Sequence, residues 1–239
     1  MEKVKNRQLK ATEIVGKKVL ILGEVGSGKT KLAARLLHEL IGQKVAETIT
    51  VIDLAPPRTG EIGGKLTEYL TMPRSVRYLS PELVYTPRLA GTSPEQILHY
   101  AELNRSNMEP LFIEFLHNVS EVLVINDVTL YFHAGKLETV LNCARSAKTF
   151  LATAYYGSKL ARDFGTGISR RERDITDRLA KFMDLVVKIG QLSGENMHVP
   201  RKTYECSKQN SFRKTVHVHA SSSHKTDQRQ IDPFCNGDT

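Results

Sequence analysis

The chain of 239 residues has no long apolar run and only three cysteines. No stretch approaches the roughly 18 uninterrupted apolar residues that form a membrane-spanning helix. Cys143, Cys206 and Cys235 make neither an even set nor a C-x-x-C pair, which argues for reduced thiols. No apolar stretch follows the basic first residues, so they are not typical of a secretory signal. We therefore expect a cytoplasmic protein without a membrane partner.

The formal net charge of +8 and the pI near 9.4 raise the question of a nucleic-acid partner. Basic residues crowd the first 18 positions, and a second cluster comprises Arg170, Arg171 and Arg173. Neither cluster is interleaved with the aromatic side chains on which single-stranded nucleic acid stacks. A solvated basic surface is the simpler interpretation, and a nucleic-acid partner stays open.

Six strand-like apolar runs recur along the chain, at 18–22, 49–53, 75–79, 121–126, 148–154 and 184–189. Between them, capping patterns predict helix starts at Ser93, Ser106 and Ser169. The helix after Ser169 carries one apolar face, made of Ile175, Leu179, Phe182 and Met183. Strands rich in Val, Ile and Leu that alternate with helices predict a mostly parallel sheet covered on both sides.

Composition divides the chain into three parts. Residues 1–16 form a polar, basic leader, residues 17–194 the folded domain, and residues 195–239 a polar tail. The tail has too few apolar residues to offset the entropy of ordering it, so we expect disorder there. Its histidines and cysteines are set more widely than the ligand pairs of typical zinc sites; they are Cys206, His217, His219, His224 and Cys235.

Residues 19–30 carry the most specific signal in the chain. Gly23 opens the pattern G-x-x-x-x-G-K-[ST], which Gly28, Lys29 and Thr30 complete. In such a loop, backbone amides surround the phosphates of a nucleotide, the lysine reaches the β- and γ-phosphates, and the Thr hydroxyl ligates Mg²⁺. An apolar run precedes the loop, and leucines at helical spacing follow it, which predicts a strand, a phosphate loop and a helix whose dipole favours anions.

A second motif lies at the end of the strand-like run at 121–126. Four apolar residues lead to Asn126 and Asp127, at the strand end where open α/β sheets bind their ligands. Either Asp127 serves Mg²⁺, or Asn126 takes the metal side and Asp127 acts as the base. We favour Asp127 as the metal-side residue, because a neutral amide is a poor partner for the waters bound to a divalent cation.

Together these motifs resemble those of P-loop NTPases over roughly residues 17–190, with the RecA-like branch preferred. The resemblance implies a three-layer α/β/α sandwich with a mostly parallel central sheet. It implies that ATP and Mg²⁺ bind, with Lys29 on the β- and γ-phosphates and Thr30 and Asp127 at the metal. It further implies that Thr153, at the end of the next strand, senses the γ-phosphate. The backbone contacts come from residues 23–30, namely Gly23, Glu24, Val25, Gly26, Ser27, Gly28, Lys29 and Thr30.

Further candidates lie in loops near the predicted ligand edge. Asp53 ends a strand, and Glu61 follows in a Pro- and Gly-rich loop; either acid is a candidate to orient water or deprotonate a substrate. Arg58 in the same loop could hold a phosphate, and we rank Arg88 below it because no partner is evident. The arginines at 170–173 could stabilise charge at the site, and Tyr155 and Tyr156 are expected to pack.

The nucleotide predicted is ATP, because the D-x-x-G and [NT]-K-x-D motifs of Ras-like GTPases are absent from the sequence. The leading hypothesis is a Mg²⁺-dependent ATPase whose hydrolysis drives a conformational change. One alternative is a small-molecule kinase with Asp53 as its base and an acceptor pocket between the loops at 55–64 and 81–92. Another is a nucleotide-switched module that binds nucleic acid or a partner protein, and oligomerisation is compatible with each.

Overall fold

Six strands form the centre of the structure, a computed structural model that describes residues 9–60 and 64–190. All six coincide with the predicted apolar runs, and their ends differ from the prediction by at most one residue. The strands are β1 (Lys18–Gly23), β2 (Ile49–Asp53), β3 (Val76–Leu79), β4 (Val122–Asn126), β5 (Thr149–Tyr155) and β6 (Leu185–Ile189).

Seven α-helices and one 3₁₀ turn, Leu66–Glu68, connect these strands within the described residues. Four of the helices have ten or more residues, and the other three are single turns of four residues. They are α1 (Ala11–Ile14), α2 (Lys29–Gly42), α3 (Pro87–Ala90), α4 (Pro94–His117), α5 (Thr129–Phe132), α6 (Leu137–Ser146) and α7 (Ile168–Ala180).

The strands lie in the order β3-β2-β4-β5-β1-β6, and every neighbouring pair is parallel. β5 lies between β1 and β4, since Leu151 pairs with Val19 on one side and with Val124 on the other. This is the position that the resemblance to RecA-like NTPases implies for the strand after the Asn126-Asp127 motif. Because parallel strands end at the same edge, the loops after β1, β2, β4 and β5 meet there.

Helices cover both faces of the sheet. Val19 and Ile21 face a cluster formed by α1 and α2, whereas Leu20 and Leu22 face a cluster formed by α4, α5, α6 and α7. Burial on both faces explains why the strands are continuously apolar rather than alternating. The predicted three-layer α/β/α sandwich with a parallel central sheet is confirmed.

Helix α4 confirms one predicted start and corrects another. Ser93 caps its N-terminus, and the Ser93 hydroxyl accepts a hydrogen bond from the Gln96 amide at 3.3 Å. The start predicted at Ser106 is wrong, because this residue lies in the middle of α4, which is 24 residues long. One buried stripe runs the whole length of the helix and favours a single element; it comprises Ile97, Ala101, Asn104, Met108, Phe112 and Phe115.

Helix α7 is present, but the predicted cap is wrong. The helix begins at Ile168 after Gly167, and Ser169 lies in its first turn. Asp163 supplies the cap from outside the helix, since its carboxylate accepts from the Ser169 amide at 3.2 Å. Ile175 and Leu179 are buried as predicted, whereas Phe182 lies beyond the helix and is 54% exposed.

The described part of the predicted leader differs from a simple polar segment. Ala11 and Ile14 in α1 are fully buried, and the Ala11 amide donates to the Glu39 carboxylate of α2 at 2.9 Å. The predicted tail, with its histidines and two of the cysteines, lies outside the described residues. None of the helices in the described part of the chain combines the length and apolar character that crossing a bilayer requires.

Candidate nucleotide-binding site

The glycine-rich segment forms a tight turn between β1 and α2. Gly26 (φ 72°) and Gly28 (φ 91°) adopt the left-handed backbone region that favours glycine. A Cβ added to Gly23 would lie 2.6 Å from Ser27 Oγ and 2.7 Å from the Ile189 carbonyl oxygen, so no side chain fits there. A Cβ on Gly28 would meet no atom within 4 Å, which leaves open space at the N-terminus of α2. Amides in the first turn of a helix lack partners within it, so this space suits an anion.

The side chain of Lys29 folds back onto its own loop. Nζ donates to the carbonyl oxygen of Glu24 at 2.8 Å. Burial lowers the pKa of Lys29, and the negative charges of Asp127 and Glu24 oppose that change. Beside it, Ser27 Oγ is buried with no hydrogen-bond partner. A half-buried ammonium group and an unsatisfied hydroxyl together fit the binding of phosphate oxygens.

Asn126, rather than Asp127, lies beside the threonine of the phosphate loop. Thr30 Oγ1 donates to Asn126 Oδ1 at 3.4 Å, and Thr153 Oγ1 donates to the same oxygen at 2.9 Å. Thr153 thereby links the ends of β4 and β5. Among the described residues, no group of three or more His, Cys, Asp or Glu side chains could hold a metal ion. Mg²⁺ commonly takes most of its ligands from water and phosphate, with one or two from the protein.

Asp127 occupies a separate position, toward α5. Its backbone is left-handed (φ 57°), a region that Asp tolerates better than most residues. The Asp127 amide donates to Thr153 Oγ1 at 2.8 Å, and the Thr129 hydroxyl donates to Asp127 Oδ1 at 2.8 Å. Burial raises the pKa of Asp127, against the hydrogen bond from Thr129 and the charge of Lys29. Its carboxyl group is thus a half-buried acid close to the phosphate loop.

Asp53 is fully buried at the end of β2. Its Oδ1 accepts from Asn126 Nδ2 at 2.9 Å and from the Ala55 amide at 3.3 Å. Its Oδ2 accepts from the Leu66 amide at 2.7 Å and from the Tyr78 hydroxyl at 2.8 Å. Burial and the adjacent carboxylate raise the pKa of Tyr78, which therefore stays a donor. Four donors hold the Asp53 carboxylate in one orientation.

A cleft of about 380 Å³ opens beside the phosphate loop at the C-terminal edge of the sheet. Lys29, Thr30, Asp127 and Thr153 line it, whereas Asp53 does not. The cleft continues away from the loop to a second group of lining residues, Pro56, Arg58, Tyr69, Thr86, Leu89 and Leu130. The structure therefore brings together the phosphate loop, the ends of β4 and β5, and the first part of the Pro-rich loop.

The structure describes the position of Arg58, one of the two charged candidates in the Pro-rich loop, but not that of Glu61. Arg58 lines the cleft, but its guanidinium is engaged, since Nε donates to Glu68 Oε2 at 2.7 Å and the Tyr69 hydroxyl accepts from Nη2. The hydrogen bonds that it donates to these groups raise the pKa of this exposed arginine. Glu61 lies outside the described residues.

Sequence reasoning missed a buried ionic cluster on the far side of the cleft. Arg88 Nη2 donates to Glu172 Oε2 at 2.7 Å, and His133 Nε2 lies 2.6 Å from the same oxygen. Arg88 also donates to the Leu160 carbonyl at 2.9 Å. Arg88 and His133 line the cleft. Their partners are distant in sequence, so a loop arginine without an evident partner was the only signal.

Glu24 ties the phosphate loop to the loop that follows β5. Its Oε2 accepts from the amides of Ser158 at 2.7 Å and Lys159 at 3.1 Å, and its Oε1 from Val25 at 2.8 Å. Burial alone would raise the pKa of Glu24, but these backbone donors outweigh it and lower the pKa. A movement of the phosphate loop would therefore pull on residues 157–159.

The arginines of α7 do not line the cleft. Arg171 donates to the Gly135 carbonyl at 2.7 Å, and Arg173 donates to the Gly157 carbonyl at 2.7 Å. Arg173 also lies over the Tyr156 ring, 3.7 Å from its centroid. Arg170 is exposed and 3.9 Å from Asp174. In the described residues these side chains support helices and loops around the site.

The sheet order, the phosphate loop and the position of Thr30 beside the end of β4 define a P-loop NTPase of the RecA-like branch. Residues 1–197 match the family described as DUF87, helicase HerA, central domain. The match spans most of the chain, and the protein belongs to this family.

Solved structures resemble the chain at low identity. The flagellar accessory protein FlaH from Methanocaldococcus jannaschii is 10% identical, with a TM-score of 0.43 over 72% of this chain and 70% of that one. An ATPase from the type III secretion system of pathogenic bacteria is 14% identical, with a TM-score of 0.36 over 74% of this chain and 52% of that one. A Pyrococcus horikoshii OT3 protein is 11% identical, with a TM-score of 0.36 over 77% and 89%. No curated protein matches the chain significantly.

Proposed function

We propose that this protein is a Mg²⁺-dependent ATPase that couples hydrolysis to a conformational change. The observation that carries the proposal is the half-buried Lys29 ammonium group at the cleft, whose hydrogen bond goes to a carbonyl oxygen of its own loop. Burying a cation is costly unless an anion compensates it, and the phosphates of a nucleotide supply that compensation in a P-loop. The chain belongs to a family whose description names a helicase, and this membership supports the same activity.

Thr30 and Asn126 are the side chains that we assign to the metal side of the site. When bound, Mg²⁺ neutralises charge on the phosphates during their transfer. Thr30 offers its hydroxyl, and Asn126 Oδ1 lies 3.4 Å from that hydroxyl, in reach of a metal-bound water. This assignment follows the second alternative of the sequence analysis and moves Asp127 away from the metal.

Asp127 is then our candidate for the general base. It lines the cleft together with Lys29, where the terminal phosphate would lie. Burial raises its pKa, which makes the carboxylate a stronger base. The Thr129 hydroxyl, 2.8 Å from Oδ1, orients the carboxylate. Asp127 thus accepts the proton of the attacking water in this proposal.

Two variants test the ATPase. Lys29→Ala is expected to weaken binding of a fluorescent ATP analogue at least about 100-fold, which corresponds to about 2.7 kcal/mol. Asp127→Asn should keep much of the binding and lose phosphate release, because the amide cannot accept a proton. Lys148→Ala, at an exposed position outside the cleft, is the matched control. Binding that survives Lys29→Ala unchanged contradicts the proposal.

Nucleic acid is the partner that we propose for the coupled movement. The family description names a helicase, and the net charge of +8 favours contact with phosphate backbones. The expected result is an ATPase rate that rises with DNA or RNA and a complex that weakens steeply with salt. A flat rate, with no polynucleotide retained at moderate salt, would leave a protein partner instead.

The small-molecule kinase remains a second candidate because the cleft extends past the phosphate loop to Arg58 and Leu89. Its base from the sequence analysis, Asp53, is fully buried and already accepts four hydrogen bonds, which disfavours proton abstraction. Phosphate release in the absence of any added acceptor supports the ATPase. An enzyme that stays silent until a metabolite is added supports the kinase.

A further inference from the structure

Asn126 stands where P-loop NTPases commonly carry an aspartate, and its side chain bridges Asp53 and Thr30. Nδ2 donates to Asp53 Oδ1 at 2.9 Å and to the Gly64 carbonyl at 3.2 Å. Oδ1 accepts from Thr30 and from Thr153. Both Asn126 and Asp53 are fully buried.

Only one orientation of the Asn126 amide satisfies this set. The Asp53 carboxylate and the Gly64 carbonyl can only accept hydrogen bonds, so the NH₂ group must face them. The carbonyl oxygen of the amide is therefore directed at the two hydroxyls. Because Asp53 is itself fixed by the Leu66 amide and the Tyr78 hydroxyl, it determines which atom Asn126 presents to Thr30.

We propose that Asp53 is a positioning residue of the metal site, which acts through Asn126. The two residues divide the work that a single aspartate does in most P-loop NTPases. Asp53 carries the negative charge, and Asn126 carries the oxygen that faces Thr30. The inference rests on the proposed function, because it assigns the way in which the same site binds Mg²⁺ with ATP.

Each single exchange within the pair breaks a specific contact. Asn126→Asp would put a carboxylate 2.9 Å from Asp53, and two like charges this close cannot both stay ionised in a buried site. Asp53→Asn would keep an acceptor for Leu66 and Tyr78 only by turning its own NH₂ group toward Asn126. The Asn126 amide would then have to rotate and present its NH₂ group to Thr30.

The reciprocal double variant Asp53→Asn/Asn126→Asp restores the hydrogen bond within the pair and most of its outer contacts. The amide introduced at 53 donates to the carboxylate introduced at 126 and still accepts from Leu66 and Tyr78. The carboxylate at 126 accepts from Thr30 and Thr153. The Gly64 carbonyl loses its donor, and the Ala55 amide loses its acceptor at Asp53 Oδ1. The net charge of the pair is unchanged, so the double variant is a matched control for both single variants.

The experiment measures the affinity for ATP with Mg²⁺ and with EDTA, for the wild type, both single variants and the double variant. The ratio of the two affinities is the Mg²⁺ enhancement. Each single variant should lower this enhancement about 10- to 100-fold, the usual effect of losing a residue that orients a metal ligand. The double variant should recover to within about threefold of the wild type, a compensation that independent sites do not show.

Thermal unfolding without metal provides a readout that does not depend on the loaded site. We expect the double variant to melt above both single variants. Tyr78→Phe removes one donor to Asp53 without changing charge, and should lower the Mg²⁺ enhancement by less than either single variant. If Asp53→Asn fails to fold, Asn126→Asp, Tyr78→Phe and the double variant still decide the question.

An Asp53→Asn protein with a normal Mg²⁺ enhancement overturns the inference and leaves the proposed function standing. A double variant that binds ATP in EDTA but recovers no enhancement does the same. If the wild type binds no ATP, the proposed function itself fails. A wild type that binds ATP equally with and without Mg²⁺ overturns the inference together with the metal part of the proposed function.

Discussion

The buried cluster of Arg88, Glu172 and His133 allows a quantitative prediction for Glu172→Gln. The Glu172 side chain is 5% exposed, the Arg88 side chain is 6% exposed, and their charged atoms are 2.7 Å apart. His133, whose side chain is 1% exposed, lies 2.6 Å from the same carboxylate oxygen. Removing the charge of Glu172 therefore leaves the Arg88 guanidinium buried without its counter-ion.

Breaking a buried ion pair from one side costs about 3–5 kcal/mol, because the remaining charge is uncompensated. We expect Glu172→Gln to lower the free energy of unfolding by about that amount, measured by urea denaturation of the ligand-free protein. Glu138→Gln is the matched control. Glu138 pairs with Arg145 at 3.5 Å, but their side chains are 64% and 56% exposed, so the loss should stay below about 1 kcal/mol.

The double variant Arg88→Met/Glu172→Leu separates lost charge compensation from lost packing. Replacing both members of a buried pair by apolar side chains is often close to neutral, so this variant should be more stable than Glu172→Gln. A loss under about 1 kcal/mol for Glu172→Gln would refute the reasoning. So would a double variant less stable than the single one.

Two other predictions concern the phosphate loop. The folded pKa of Glu24 lies below its ordinary value of 4.5, so the native state binds fewer protons and gains stability as pH rises through this range. Glu24→Gln should therefore lower the melting temperature most above about pH 5, with a difference that shrinks on acidification; a pH-independent difference contradicts this. Gly28→Ala should cost about 1 kcal/mol through its positive φ and also weaken ATP binding, whereas Gly42→Ala, in a helix with free space, should do neither.

Features written in contiguous residues could be predicted from the sequence. The apolar run of β1, the glycine pattern and the leucines of α2 are consecutive, so strand, phosphate loop and helix follow from local chemistry. The same holds for the six strands and for the cap at Ser93. The short capping patterns at Ser106 and Ser169 gave wrong predictions. At Ser106 the burial of a stripe along the whole of α4 outweighs the pattern, and at Ser169 the cap comes from Asp163, which lies before the helix.

The candidate site was predicted in part. Lys29, Thr30, Asp127 and Thr153 do converge on one cleft, as their places at strand ends indicate. Their roles, those of Lys29 and Thr30 included, stay predictions. Arg88, ranked low as an isolated loop arginine, belongs to a buried cluster with Glu172 and His133. Glu172 is 84 residues from Arg88 along the chain, and His133 is 39 residues from Glu172.

The sequence by itself determined that this chain has a phosphate-loop motif between a strand and a helix of a parallel α/β sheet, because that pattern lies within a dozen consecutive residues. Only the tertiary structure decided which polar group faces Thr30 and which acid is enclosed. Asn126 and Asp53 are 73 residues apart, and their contact depends on the pairing of β2 with β4. Hydrogen bonds between distant strand ends are set by packing, which no local pattern encodes.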